Sequence, residues 1–286
     1  MNRRRRHGPA GWEFSATRPG RLLSIGAMRP PVDTIPAPPF PNRMQWVNSA
    51  PLRMDQQRGR PVLIEFWDFC RPNSIRTLPY MREWHSRYAD AGLRVIGVHA
   101  AGFAPSAEVE QVKAAVARLG IDYPVVIDLE HEIWKSYENL GWPARYLWNA
   151  EGILAHYHYG EGAYLETELA IQELLGIERE PLQPLRPEED PQALIAMQSD
   201  DELGHYAGHY AAGGIWGVFA GSGEVTVRQQ DATGLSAEQP FKLEIPAAGA
   251  YELLVHPRHT EGEIKLEPNA GLEVLAVCFT PGLAPA

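Results

Sequence analysis

The chain has 286 residues, of which 44% are hydrophobic, and its formal net charge of −10 argues against nucleic acid as a partner. No apolar run approaches the roughly 20 residues that a membrane-spanning helix needs. Its two cysteines, Cys70 and Cys278, are too few for the disulfide framework of a small secreted protein. We therefore expect a protein of the cytoplasm, long enough for two domains that each bury a core.

The N-terminal segment, residues 1–37, is basic and rich in proline. Its first 30 residues hold seven Arg and one Glu, which leaves 19 basic and 35 acidic side chains in the rest of the chain. The arginines at 3–6 resemble the start of an export signal, but the apolar stretch at 22–28 is too short and is interrupted by Ser and Gly. We interpret the segment as a disordered arm, or as residues upstream of a start at Met28. Export through an atypical signal is the alternative.

Residues 62–67, with the sequence V-L-I-E-F-W, form a short apolar run rich in β-formers. This pattern predicts a central parallel strand covered on both faces. Glu65 lies within it, and burial among apolar neighbours predicts a raised pKa for its carboxyl group. Asn73 or Ser74 can cap the helix that follows, whose apolar positions recur at helical spacing to about residue 91.

Cys70 precedes the N-terminus of this helix. The free N–H groups and the dipole at a helix start favour a thiolate, and Arg71 adds a full positive charge beside it. The sequence therefore predicts a reactive cysteine whose pKa lies below that of a free thiol. His99, at the end of the next predicted strand (93–99), is a weak candidate for its general base.

The remaining elements up to residue 177 alternate between strands and helices. A strand, helix and strand in this order imply a right-handed parallel unit, and a hairpin near the end adds antiparallel strands. We predict a mixed sheet with helices on both faces. Its later members are a helix at 107–119, a strand at 123–128, a helix at 130–138, hairpin strands at 145–148 and 153–159, and a closing helix at 164–175.

The C-terminal third has a different periodicity. Residues 178–210, rich in Pro and Glu at their start, predict a semi-rigid linker. From 211 to 286 the apolar residues recur every second position, which predicts a small β-sandwich or jelly roll in which Cys278 is a buried, inert thiol. Its predicted strands are 215–220, 224–228, 241–245, 251–255, 263–266 and 273–279.

Several motifs of the first domain, residues 38–177, carry a resemblance to a known family. They are F-W-x-x-C at 66–70, N-S-I-R-T-L-P-Y at 73–80, L-R-V-I-G-V-H at 93–99, Y-P-V-V-I-D at 123–128, W-P-A-R-Y-L at 142–147 and Y-G-E-G at 159–162. With these motifs the domain resembles the TlpA/DipZ-like branch of the thioredoxin superfamily. The resemblance implies an α/β thioredoxin fold, a cis Pro143 packed against a redox site, and a Glu65 that relays protons to the second thiol of that site. The sequence G-S-G-E-V-T-V at 221–227 and the closing strand resemble the small β domain that follows the thioredoxin domain in DipZ-type proteins, which looks like a carbohydrate-binding module.

The sequence departs from this family at the redox motif itself. Without gaps, the two cysteines of the family's C-x-x-C fall on Arg71 and Ser74; after a slip of one residue they fall on Cys70 and Asn73. Either register leaves one sulfur. A disulfide exchanger attacks with one thiolate and is released by a second, so local residues alone cannot complete that cycle.

Two functions follow as hypotheses. In the first, Cys70 attacks a protein disulfide or a peroxide and an external thiol resolves the intermediate. In the second, a non-catalytic thioredoxin-like domain binds a protein or peptide, and the β domain binds carbohydrate or a partner. We expect no metal or other cofactor, because His156 and His158 share a strand face without further ligands nearby. The candidate site residues are Cys70, Arg71, Ser74 and Glu65 for catalysis, and Trp67, Asn73, Trp142 and Pro143 for substrate binding.

Overall fold

The computed structural model describes Val32 and residues 34–231 and 239–285. The predictions for residues 1–31, including the start at Met28, lie outside this part of the chain. Within it, the strands form two six-stranded sheets and a small two-stranded one.

The first sheet has the strand order β1-β4-β3-β2-β5-β6. β2 is parallel to β3 and β3 to β4, whereas the other pairs are antiparallel. This mixed sheet, with its flanking helices, confirms the predicted α/β thioredoxin fold. Its strands are β1 (Gln45–Val47), β2 (Val62–Trp67), β3 (Arg94–His99), β4 (Val125–Ile127), β5 (Ala144–Trp148) and β6 (Leu154–Tyr159).

Four α-helices accompany this sheet. The first begins earlier than predicted, with Arg71 at the N-cap position and Pro72 as its first residue. Proline suits that place because its φ is already helical and its missing N–H would have no partner there. The predicted cap at Asn73 or Ser74 was therefore wrong. The helices are α1 (Pro72–Tyr88), α2 (Val109–Arg118), α3 (Glu132–Ser136) and α4 (Tyr164–Leu175).

Strand β2 is buried on both faces, as predicted. Leu63 and Trp67 belong to the apolar cluster that includes residues of α1, α2 and α4. Ile64 and Phe66, which point the other way, belong to the cluster that includes Ile133 of α3. The C-terminal end of β2 therefore lies at the centre of the fold, and the candidate site follows directly after it.

The C-terminal region is all β, as predicted. Its main sheet is antiparallel, with the order β11-β10-β12-β9-β13-β8, and β7 pairs with β14 separately. The two layers of a sandwich stay a prediction. The strands are β7 (Ile195–Ala196), β8 (Glu202–Leu203), β9 (Ala207–Gly221), β10 (Gly223–Asp231), β11 (Phe241–Ile245), β12 (Gly249–Pro268), β13 (Leu272–Thr280) and β14 (Gly282–Leu283).

Strand β12 differs from the prediction because one long strand replaces the two expected at 251–255 and 263–266. Its pairing with β9 shifts register between Val255 and Thr260. An irregularity of this kind bends a strand without ending it. The loss of alternation around Pro257 thus marks a bend in one strand rather than a loop between two.

The Pro- and Glu-rich residues 180–190, which we call the strap, are fastened to α1. The Arg76 guanidinium, only 3% exposed, pairs with Glu188 of the strap and with Glu161, both at 2.9 Å. The Tyr80 hydroxyl donates to Glu189 at 2.7 Å and accepts a hydrogen bond from the Leu185 N–H at 2.9 Å. The strap therefore ties the C-terminal region to the helix that starts at the site. The domain boundaries at 38–177, 178–210 and 211–286 stay predictions.

One face of the C-terminal sheet packs on the thioredoxin-like part. The Ala250 N–H donates to the Phe69 carbonyl at 3.0 Å, and Arg118 of α2 donates to the Ala248 carbonyl at 3.3 Å. Around this contact a set of mostly small apolar side chains joins the cluster that contains Cys70. We call this set the covering face: Trp216, Val218, Ala250, Ala276 and Cys278.

Candidate functional site

Asp68 organises the loop of residues 68–71, which we call the site loop. Its fully buried carboxylate accepts hydrogen bonds from the Cys70 N–H at 2.8 Å, the Gly102 N–H at 2.7 Å and the Ser106 hydroxyl at 3.1 Å. The Asp68 N–H in turn donates to the Ser74 hydroxyl at 3.2 Å. Asp68 thereby fixes Cys70 relative to both the start of α1 and the loop after β3.

Cys70 is fully buried beneath the covering face. Burial raises the pKa of its thiol well above the ordinary value, and the nearby Asp68 carboxylate raises it further. A hydrogen bond from Ser106 and the charges of Arg118 and Arg71 lower the pKa by less. The prediction of a lowered pKa was wrong, because desolvation outweighs the helix end and the neighbouring cation. In this arrangement the thiol is protonated at neutral pH.

Arg71 points across the site to the loop before β5. Its guanidinium lies 4.8 Å from the ring centroid of Trp142 and 4.9 Å from that of Phe103. The Trp142 indole N–H donates to the Ala100 carbonyl at 2.9 Å, and the Trp142–Pro143 peptide bond is cis, as predicted. The structure therefore brings together the site loop and the predicted Trp142–Pro143 wall.

The side chains of the other candidate site residues differ in their exposure to solvent. Ser74 is buried against Asp68, whereas the Asn73 side chain is exposed on the first turn of α1. Trp67 is fully buried, with its ring edge-on to His99 at 5.1 Å, and it packs closely on Gly97. In this arrangement Trp67 supports the sheet from inside, and its expected contact with substrate stays a prediction.

His99 lies behind the site loop. Its Nε2 is 3.7 Å from a carboxylate oxygen of Asp68, and its ring stacks on Phe69 with centroids 5.5 Å apart. All three side chains are fully buried. The contacts of His99 are thus with Asp68, which holds the Cys70 N–H, and with the residue before Cys70.

Glu65 and Arg145 face each other directly across β2 and β5, and both are buried. Burial raises the pKa of Glu65 to about 8, although the Arg145 charge acts in the opposite direction. The predicted raised pKa is confirmed. Arg145 stacks on the Tyr164 ring at 4.8 Å and donates to the Gly162 carbonyl. The role of Glu65 as a proton relay stays a prediction.

Several known proteins are similar to parts of this chain. Residues 36–157 match the model of the AhpC/TSA family. Protein DipZ of Mycobacterium tuberculosis is 32% identical over 189 residues, which cover 63% of this chain and 27% of DipZ. The chain thus spans about a quarter of the length of that relative.

Two shorter proteins match about half of this chain over nearly their whole length. YkuV of Bacillus subtilis, named a thiol-disulfide oxidoreductase, is 25% identical over 140 residues, or 49% of this chain and 94% of YkuV. The crystal structure of a thiol-disulfide isomerase from Corynebacterium glutamicum is 24% identical with a TM-score of 0.45, covering 50% of this chain and 98% of the other. No helix in the described residues is long and apolar enough to cross a membrane.

Three features of the thioredoxin-like part were not predicted from the sequence. Asp68 was visible as a carboxylate beside the cysteine, but its partners Gly102 and Ser106 lie in a separate loop. Arg145 was visible as a charge within an apolar strand, which could have indicated a partner for Glu65. No residue near Cys70 in the sequence indicated that the covering face would pack over it.

Proposed function

We propose that the chain is a thioredoxin-like thiol oxidoreductase that works through Cys70 and is reduced by an external thiol. The observation that carries this proposal is the position of Cys70, two residues before α1 and one before Arg71, whose guanidinium rests on Trp142 beside cis Pro143. The redoxin family of residues 36–157 and the oxidoreductase name of YkuV support it.

The proposed reaction begins when the Cys70 thiolate attacks one sulfur of a protein disulfide. A bond forms between Cys70 and that sulfur, and the other substrate sulfur leaves as a thiolate that takes up a proton. One external thiolate then displaces the substrate from Cys70, and a second one releases Cys70. Two external thiols are thereby oxidised and one substrate disulfide is reduced. With a peroxide, Cys70 would instead become a sulfenic acid that the same thiols reduce.

Access to Cys70 requires that the covering face move away from the site loop. The exposed Asn73, the half-buried Trp142 and cis Pro143 then line the groove that receives the substrate. Once water reaches Cys70, the desolvation that raises its pKa is lost, and Arg71 and the start of α1 stabilise the thiolate. The proposed enzyme is therefore gated by its own C-terminal region.

The substitution Cys70→Ser tests the function. Reduction of insulin disulfides by the full chain, with dithiothreitol as the external thiol, should fall to the uncatalysed rate. The near-UV circular dichroism of the buried tryptophans should stay unchanged, which shows that the fold is intact. Equal activity of Cys70→Ser and the parent chain would remove the oxidoreductase proposal.

A second candidate function is a non-catalytic thioredoxin-fold domain that binds a protein or peptide. The full burial of Cys70 and its raised pKa favour this candidate, because an inert thiol has both properties. Under it the C-terminal region binds carbohydrate or a partner. Insulin reduction separates the two functions, since a binding domain shows none above the dithiothreitol background.

We also propose that the protein works in the cytoplasm. Both of its cysteines are free thiols, which suits a reducing compartment. Thiol trapping in intact cells, followed by fractionation, tests this location. Recovery outside the cytoplasm would favour export by the basic N-terminal segment.

A further inference from the structure

We propose that Cys278, on the covering face, supplies the second thiol of the Cys70 site, and that the two sulfurs form a disulfide during the reaction. This inference rests on the proposed oxidoreductase function. It assigns a role to the one other sulfhydryl in the chain and replaces the thiol that the redox motif lacks.

The first support is shared burial at one interface. Cys70 is fully buried and Cys278 is 6% exposed, and both belong to the same apolar cluster. Cys70 comes from the site loop and Cys278 from β13, so they approach the interface from opposite sides. Both are free thiols, as the reduced form of such a pair must be.

The strand register locates Cys278 on the covering face. Val218 of β9 pairs with Ala250 of β12 on one side and with Ala276 of β13 on the other. Because side chains alternate along a strand, Cys278 points to the same face as Ala276. Neighbouring strands lie about 4.8 Å apart. Because Cys278 pairs with Trp216, it lies roughly two strand spacings across the sheet and two residues along it from Ala250, whose N–H holds Phe69.

The site loop contacts β12 and carries a charge that acts on a residue of β13. The Phe69 carbonyl accepts a hydrogen bond from the Ala250 N–H of β12. The Arg71 charge lowers the pKa of Cys278, on β13, as well as that of Cys70. Cys70 lies between Phe69 and Arg71, and consecutive Cα atoms are about 3.8 Å apart. A disulfide needs Cα atoms about 4.4–6.8 Å apart, so the proposed step requires the covering face to move over the loop until the two cysteines reach that separation.

The Asp201 carboxylate can accept the proton that Cys278 loses. The Asp201 carboxylate raises the pKa of the Cys278 thiol, and it accepts a hydrogen bond from the Phe279 N–H at 3.0 Å. When Cys278 attacks, its proton can pass to this carboxylate. The group is therefore placed to activate Cys278 at the moment of attack.

The proposed step follows formation of the mixed disulfide. The Cys278 sulfur attacks the Cys70 sulfur, a bond forms between them, and the bond from Cys70 to the substrate breaks. The substrate leaves as a thiolate and takes up a proton. The two protein thiols have then been oxidised and the substrate disulfide has been reduced. An external dithiol returns Cys70 and Cys278 to the reduced form.

Glutathione disulfide is the probe for this step. The reduced full chain is incubated with it, quenched with acid and mapped by mass spectrometry without reduction. We expect a peptide pair linked through Cys70 and Cys278, with no glutathione retained. In Cys278→Ser the glutathione should stay on Cys70, at a level about tenfold or more above that in the parent chain, because an intramolecular thiol outcompetes an external one. Cys278→Ala repeats the measurement if the serine disturbs folding.

The outcomes separate this inference from the proposed function. Equal retention of glutathione on Cys70 in the parent chain and in Cys278→Ser would overturn the role of Cys278 and leave Cys70 as a single-thiol nucleophile. An unmodified Cys70 in every variant would overturn both proposals. The substitution Cys70→Ser, which should leave Cys278 unmodified, shows that Cys70 is attacked first.

Discussion

The site loop and the covering face have opposite effects on the charge state of the Cys70 thiol. The site loop is polar: it carries Asp68 and Arg71 and leads into the positive end of α1. The covering face is made mostly of small apolar side chains and keeps water from the thiol. Within the site loop, Arg71 and the start of α1 favour a thiolate, whereas burial and the Asp68 carboxylate favour the protonated thiol. The comparison teaches that a residue's local sequence can favour one charge state while a distant part of the chain imposes the other.

The largest expected effect comes from uncovering the site. Val218→Asp places a charge in the buried covering face, which is several kcal/mol unfavourable, so the face should separate from the loop. The pKa of Cys70 should then fall, and alkylation of Cys70 at pH 7 should rise about 100-fold. Val255→Asp is the matched control, since Val255 is 66% exposed in β12, and it should leave the rate unchanged. Equal rates in both variants would mean that the face is not what protects Cys70.

The strap offers a second way to weaken the cover. Arg76→Met leaves Glu161 and Glu188 without their buried partner, which should lower the free energy of unfolding by about 3–5 kcal/mol. Urea denaturation followed by tryptophan fluorescence measures the change. Arg53→Met, which removes the exposed pair with Asp55, is the control and should unfold at the parent urea concentration. A similar small change for both would show that the strap contributes little.

A third prediction concerns the buried Glu65, whose pKa is raised to about 8. The folded protein binds this proton more tightly than the unfolded chain does. The stabilisation is therefore complete below the unfolded pKa of about 4.5 and is lost as the pH rises through 8, by about 1.4 kcal/mol per pH unit. Glu65→Gln should abolish this slope. Urea denaturation between pH 4.5 and 8 checks it, and parallel pH profiles for the two proteins would contradict the prediction.

The smallest expected effect is at Ser74, whose hydroxyl accepts from the Asp68 N–H. Ser74→Ala leaves that buried donor unpaired and should destabilise the chain by about 1–2 kcal/mol. Ser222→Ala, at an exposed position, should not change stability. Chemical denaturation of the two variants is measured side by side. Equal midpoints would show that the contact between Ser74 and Asp68 does not contribute to stability.

The sequence predicted the structural features that depend on residues close together in the chain. The apolar run of β2, the helix after it, and cis Pro143 all follow from short motifs, and each is present in the structure. The prediction for the pKa of Cys70 was wrong because the main cause of the shift is burial, and the cluster that contains Cys70 includes residues of β9, β12 and β13 more than a hundred positions away. Asp68 was overlooked for a similar reason, since its partners at Gly102 and Ser106 belong to another loop.

The central claim is that Cys70 is the working thiol of a site closed by the covering face. The pH dependence of Cys70 alkylation in the native full chain tests it most directly, with the modified peptide identified by mass spectrometry and the measurement repeated in low urea. We predict a midpoint above that of a free thiol, which falls as urea loosens the covering face before the whole chain unfolds. A native midpoint at or below that of a free thiol would contradict the account.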